Sequence, residues 1–294
     1  MLEHGLTEPQ VPARTVVVGA GGFVGGAIAR NLEARGANVV RLGRGVVDLT
    51  ADGAGEALAG QLSGDDAVVL VSALAPVKNV QMLGQNIRVI EAMAHALADI
   101  QPAYVLNIGS DAVFGDTGRP LDENSPKDSP SFHGIMHHTR EVAFAEAQKG
   151  PLATLRPTLI YGADDPHNGY GPNRFRRLAS QGDTIKLFGE GEERRDHVWV
   201  EDVAELAARM VLHRSTGSLN AVSGQVISFN ELAQICSRLH GPVEIENLPR
   251  SGPMPHDGYR PFDASAISAA FPDVIMTPPE RGLEKVASGA PVGT

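Results

Sequence analysis

Apolar positions along the chain alternate between short unbroken runs and stretches with helical spacing. Val16, Val17 and Val18 form the first run, which meets Gly19, Gly22 and Gly25 before apolar positions return at helical spacing through Ile28 and Leu32. This reads as a buried strand, a glycine turn and a helix. ANVVRLGR (37–44) predicts a second strand, and VVDLT a short third one ending near Asp48. AVVLVSALA (67–75), YVLNIGS (104–110) and LATLRPTLIYG (152–162) are continuous apolar runs, as expected of parallel strands covered on both faces. Helical spacing fills Gln81–Leu97 and Phe175–Ser180, TIKLFG adds a short strand, and HVWVEDVAELAARMVLH a strand running into a helix. Ser228, with Glu231 three residues on, is a capping box opening one more helix. Strands alternating with helices of this length predict an α/β fold, a doubly wound parallel sheet. From about residue 162 the texture turns rich in Gly, Pro, Asn and Asp, which marks a smaller C-terminal lobe. The expected division is 14–160 plus about 196–214 for the sheet domain and 161–195 with 215–287 for the lobe. Residues 1–13 and 288–294 are expected to be loose.

Composition narrows the partners. A net charge of −10 over 294 residues argues against a nucleic-acid binder. A single cysteine, Cys236 in the apolar pattern LAQICSRL, excludes an internal disulfide framework and is expected in the core. No 18-residue apolar run and no secretory h-region occur, so the expectation is a cytoplasmic protein without membrane contact.

The glycine turn supplies the first candidate chemistry. A helix N-terminus offers unpaired N–H groups to a diphosphate. Gly19 lets the chain turn, Gly22 carries no Cβ to hold a ligand off, and Gly25 lets the helix approach the strand, with Phe23 and Val24 opening the helix. The second strand's tip sets cofactor choice. Gly43 occupies the position where an acid would bind ribose hydroxyls, while Arg44 and Arg41 would suit a 2′-phosphate, favouring NADP, with NAD as the alternative. Asp48 and Leu49 fall where the adenine would lie, with an ordinary turn aspartate as the alternative for Asp48. Ligands of such sheets bind at the carboxyl ends of the strands, which places Ala73, Leu74, Ala75, Ser110, Asp111 and Pro157 on one crevice.

With VGAGGFVG (18–25), SALAP (72–76), GSDAVFGD (109–116), PLDENSP (120–126), LRPTLIYG, LFGEGEERRDHVWVEDVA and GSLNAVSGQVISFNELAQ in order, the chain resembles the extended short-chain dehydrogenase/reductase family, more narrowly its nucleotide-sugar epimerase/dehydratase branch. The likeness spans Arg14 to Ala287. It implies a Rossmann domain, a nicotinamide cofactor, a nucleotide-sugar substrate and a homodimer. It also implies that Asn86 is structural, that Ser110 hydrogen-bonds the reacting sugar oxygen and that Arg195 grips the nucleotide diphosphate. Asp111 stands where dehydratases of the branch carry an acid, but Ala112 follows where they carry a glutamate base, which argues against dehydration. The family places a Tyr and, four residues later, a Lys on one helix; here His133 and His137 hold those positions.

Two histidines at i and i+4 share a helix face. In one reading His133 exchanges the proton, since histidine titrates near neutrality unaided, and His137 hydrogen-bonds the cofactor's ribose. In a second the pair ligates a metal, although no acid in a metalloenzyme arrangement accompanies it. In a third the chain binds cofactor without turnover, as a regulatory protein. The retained Ser110, Asp111 and Arg195 favour the first. DPHNGYGPNRF (165–175) is expected either to close over the substrate through His167, Asn168, Tyr170, Asn173 and Arg174 or to be a Gly/Pro loop whose polar residues meet water.

Overall fold

A computed structural model of the chain describes residues 2–289. Six parallel strands form the central sheet: β1 (Thr15–Val18), β2 (Val39–Leu42), β3 (Ala67–Leu70), β4 (Tyr104–Ile108), β5 (Leu152–Pro157) and β9 (Gly217–Ala221), in the order β2-β1-β3-β4-β5-β9. Period-two alternation distributes their side chains between two cores. Val17 and Val69 join one with Ile28, Leu32, Val203 and Leu206; Val16, Val18, Val68 and Leu70 join the other with Val89, Ile90, Met93 and Leu97. Helices α1 (Phe23–Ala34) and α6 (Val200–Leu212) therefore cover the first face. Helices α2 (Ala54–Ala59), α3 (Val80–Ile100) and α4 (Phe132–Ala147) cover the second. Each of these fully buried side chains contributes roughly 1.5–3 kcal/mol of burial, which fixes the sheet and the loops at its carboxyl edge.

The lobe is built on two small sheets. β8 (Arg194–Trp199) pairs with β6 (Leu159–Tyr161), β10 (Val226–Ser228) and β12 (Tyr259–Arg260), while β7 (Ile185–Phe188) pairs with β11 (Ile245–Leu248). Helices α5 (Pro172–Gln181), α7 (Phe229–His240), α8 (Ser265–Ala270) and α9 (Pro279–Ser288) complete it. The predicted capping box is present at α7, with Ser228 Oγ accepting from Glu231 N–H and Glu231 Oε2 from Ser228 N–H.

Four expectations change. LATLRPTLIYG is two strands, because the chain leaves the central sheet at Pro157 and Thr158 and β6 joins β8 instead. VVDLT forms no strand; Asp48 Oδ1 instead accepts from Thr50 N–H and O–H in a local turn. Residues 217–221, expected in the lobe, supply the sixth central strand, since their backbone pairs in parallel with β5. The N-terminal arm is held down rather than loose: Glu3 pairs with Thr216, and the His4 ring packs on His213 and Phe271. At the other end α9 runs through Ser288, and residues 290–294 of the expected frayed tail lie outside the described residues.

Candidate active site

At the carboxyl edge of β1 the glycines behave as their chemistry requires. Gly19 has a φ of +98°, and a Cβ there would meet Ser72 within 2.9 Å of its backbone nitrogen. A Cβ on Gly25 would sit 2.2 Å from Gly19 O, so only glycine permits this approach of α1 to the turn. Gly22 caps α1, and the first helical bond runs from Gly26 N–H to Gly22 O. The N–H groups of Phe23, Val24 and Gly25 are left without an intrahelical partner, and no acid occupies the first turn to compete for them.

These residues form one end of a cleft of about 990 Å³ between the central sheet and the lobe. Gly19, Gly22, Phe23, Val24, Gly25, Arg44, Asp48, Leu49, Ala73, Leu74, Ala75 and Pro157 all line it. Asn86 is buried on α3 and clamps the Ala73–Ala75 segment, its side chain accepting from Leu74 N–H and donating to Leu74 O. Arg41 does not reach the cleft: it is exposed and bonded twice to Glu33 on α1, at 2.8 and 2.6 Å. Arg44 makes no ion pair among the described residues and remains the basic group at the strand tip.

The middle of the cleft gathers Ser110, Asp111, His133 and His137. Ser110 N-caps a 3-10 turn over Asp111–Val113 by accepting from Ala112 N–H, and its own hydroxyl lies 3.4 Å from Asp111 Oδ1. Ser131 caps α4, its Oγ accepting from Gly134 N–H. Gly134 brings the helix against that turn, for a Cβ there would lie 2.0 Å from Ala112 O. His133 and His137 meet edge to face, ring centroids 4.7 Å apart. Burial lowers the pKa of His133, partly countered by the Asp111 carboxylate. Burial, then His133 and Arg140, hold His137 well below the ordinary histidine range, so it is a neutral imidazole. His137 Nδ1 is buried without a partner. Arg140, fully buried one turn on, donates to Asn107 Oδ1 and to the carbonyls of Ser72 and Leu70. Glu141 is pinned between Arg156 (2.6 and 2.9 Å) and Lys127 (2.8 Å). Among the described residues no His, Cys, Asp and Glu side chains cluster so as to hold a metal ion, and the ligand reading of the pair gains no support.

At the lobe end Arg195 lines the cleft and donates to Glu193, not to its neighbour Asp196, at 3.1 Å. Asp196 points the other way and binds Thr158, Ser223 and Gly224. Of the loop residues expected to face substrate, His167, Tyr170 and Asn173 line the cleft, whereas Asn168 and Arg174 do not. Asn168 takes φ +50° and accepts from Arg177, and Arg174 faces solvent because α5 buries Phe175 and Ala179 instead. Asn173 spends its amide on Gly162 N–H and Ile160 O, and Tyr170 OH accepts from Phe188 N–H. Sequence reasoning missed His197, His256, Arg260 and Asp116, which also line the cleft. Arg260 donates to Asp116, to Asp111 O and to Phe114 O, and His256 meets Asp116 at 2.5 Å. No local signal joins positions some 140 residues apart. His197 had one: period two along β8 puts it on the same face as Arg195.

A parallel sheet of this order, with a glycine turn at its first strand and a second lobe across the cleft, defines a Rossmann-type dinucleotide-binding protein. Residues 15–222 match the model of the NAD dependent epimerase/dehydratase family, and the chain belongs to that family. It is 27% identical over 286 residues to dTDP-4-dehydrorhamnose reductase of Streptomyces griseus, covering 89% of each chain. It is 25% identical to dTDP-4-dehydro-6-deoxy-D-allose reductase of Streptomyces bikiniensis, covering 96% of this chain and 98% of that one. Among solved structures it superposes on Thermus thermophilus UDP-glucose 4-epimerase in complex with NAD, with a TM-score of 0.80, 21% identity and coverage of 94% and 98%. A GDP-L-fucose synthetase from Naegleria fowleri bound to NADP gives a TM-score of 0.79 at 15% identity, covering 96% and 94%. Among the described residues no helix is long and apolar enough to cross a membrane.

Proposed function

We propose that the chain is an NAD(P)-dependent reductase or epimerase of a nucleotide-activated sugar, with His133 as its proton-exchanging group. The observation that carries this reading is the continuity of one cleft from the glycine turn, past Ser110 and the histidine pair, to Arg195 in the lobe. The residues present fit a dinucleotide. The free N–H groups opening α1 suit its diphosphate, and the orphaned His137 Nδ1 is a buried polar atom awaiting a partner such as a ribose hydroxyl. Gly19, Gly22, Phe23, Val24, Gly25, Asp48, Leu49, Ala73, Leu74, Ala75 and Pro157 would hold it. Arg44 would meet a 2′-phosphate, which favours NADP. When bound, the nicotinamide supplies hydride exchange with a sugar carbon.

The chain's own groups manage the oxygen on that carbon. Ser110 O–H donates to it, and His133 takes or returns its proton. A neutral imidazole beside Asp111 can do this without the cation that a tyrosine needs from a lysine, so a neutral His137 is tolerable. Arg195, a charged fork at the cleft's far end, holds the nucleotide diphosphate. Ala112 provides no base for dehydration. The test is His133→Ala assayed with NADPH or NADH against dTDP-4-dehydrorhamnose, and for interconversion of UDP-glucose and UDP-galactose. Turnover is expected to fall about 10²–10⁴-fold with cofactor affinity unchanged; an unaltered rate sinks the assignment.

A further inference from the structure

His197 is 1% exposed on β8, and its ring packs edge to face against Phe229. Its Nδ1 lies 3.2 Å from Arg195 O. A carbonyl oxygen only accepts, so Nδ1 carries the ring proton and Nε2 bears a lone pair. Burial pushes the pKa down to about 3, so no second proton joins the ring at neutral pH. Yet Nε2 has no hydrogen-bond partner in the molecule. A buried acceptor left unmade costs about 1–3 kcal/mol, so something is expected to fill it.

Nε2 itself has almost no accessible surface, and Gly171 lies against it. Gly171 has φ +120°, and a Cβ there would lie 3.6 Å from His197 Nε2, so the residue covering this nitrogen is one without a side chain. His197 and Arg195 line the same cleft from the same face of one strand. A ligand whose anionic part sits on Arg195 therefore lies along the strand face that carries His197.

We propose that His197 is a specificity-determining residue whose Nε2 accepts a hydrogen bond from a hydroxyl of the substrate, next to the anionic group on Arg195. This rests on the nucleotide-sugar reading above. The hydroxyl belongs either to the nucleotide's ribose or to the activated sugar, and the chemistry at Nε2 is the same for both. His197→Phe keeps a ring against Phe229 and removes the acceptor; His197→Gln returns an acceptor near the Nε2 position.

The experiment is calorimetric titration of UDP, dTDP and UDP-glucose into the wild-type chain and both variants, each saturated with NADPH. A ribose donor predicts that H197F weakens UDP and UDP-glucose binding about 2- to 13-fold, the worth of one neutral hydrogen bond, with dTDP unchanged if the donor is the 2′-hydroxyl and weakened alike if it is the 3′-hydroxyl. A sugar hydroxyl predicts that only UDP-glucose weakens. H197Q is expected to recover part of either loss, which a merely structural ring would not give. Equal binding of all three ligands by wild type and H197F overturns the proposal. No binding of any of them to the wild-type chain overturns the nucleotide-sugar reading itself, a different and separately visible outcome. Should H197F fail to fold, ¹⁵N-histidine spectra of the wild type decide. The pH-insensitive unprotonated nitrogen of His197 moves upfield when UDP-glucose binds if it accepts a hydrogen bond, and an unmoved signal rejects it.

Discussion

At the scale of single residues, the two histidines on α4 differ in what surrounds them. His137 is walled in, with a buried arginine one turn away whose own donors are used on three oxygens. A lysine there would set a second cation beside Arg140, which gives a physical reason for a neutral group at this position. His133 is less buried and feels Asp111. Burial lowers its pKa and the carboxylate raises it, with burial ahead, so the ring is neutral at pH 7. The rate of sugar oxidation should hold at neutral pH and fall as acidification protonates His133. Removing the carboxylate with Asp111→Asn takes away the raising influence, so the acid limb of the kcat profile should move to lower pH. A limb that stays put or moves upward contradicts the assignment of that limb to His133.

At the scale of elements, two contacts set the site. α1 reaches β1 only because Gly25 lacks a side chain: its Cβ would lie 2.2 Å from Gly19 O. Gly25→Ala should push the helix N-terminus away from the turn, costing about 1–3 kcal/mol and at least tenfold in NADPH affinity, measured by fluorescence titration. α4 is tied to β5 through Glu141, whose two oxygens serve Arg156 and Lys127. Burial alone would raise this carboxyl's pKa, but Arg156 and Lys127 more than offset it and hold the pKa low. The stability from this ion pair is therefore full above the unfolded carboxyl's pKa and is lost as pH falls through the lower folded one. Glu141→Gln leaves Arg156 buried without its anion and should cost roughly 3–5 kcal/mol, seen as a lower denaturation midpoint at pH 7 and a smaller loss of stability on acidification.

At the scale of the whole molecule, the lobe and the central sheet are joined at both ends of the chain. The arm pairs Glu3 with Thr216, stacks His4 on Phe271, and bonds Leu6 and Gln10 to the last turn of α6. His4 Nε2 donates to Ala270 O while Nδ1 meets Ser215 Oγ at 2.8 Å. Deleting residues 1–10 should uncover Phe271 and cost about 2–4 kcal/mol, read by thermal unfolding. NADPH affinity should be kept, because none of the arm lines the cleft. Arg260 and His256 bridge to Asp111 and Asp116 from the C-terminal side, so the cleft's far wall is shared between segments well apart in sequence.

What the chain's order of residues determined by itself is local. The valine run, the glycine spacing and the capping box each act within a few residues, and each is present as read. The alternation of strands and helices was enough for the α/β class, and strand ends marked Ser110, Asp111 and Ala73–Ala75 as lining one crevice. Tertiary structure alone decided what depends on distant partners. Arg41 and Arg44 are alike as sequence, yet only Arg41 finds Glu33. Asn168, Arg174 and Asn173 are equally polar, yet helix phase and two backbone groups turn them to solvent or to structural bonds. The sixth strand, the fastened arm, the bridge from Arg260 and the empty acceptor on His197 all come from contacts made across the fold. Propensity and spacing cannot encode these, because a hydrogen bond's partner is fixed by where the backbone returns and not by its neighbours in the chain.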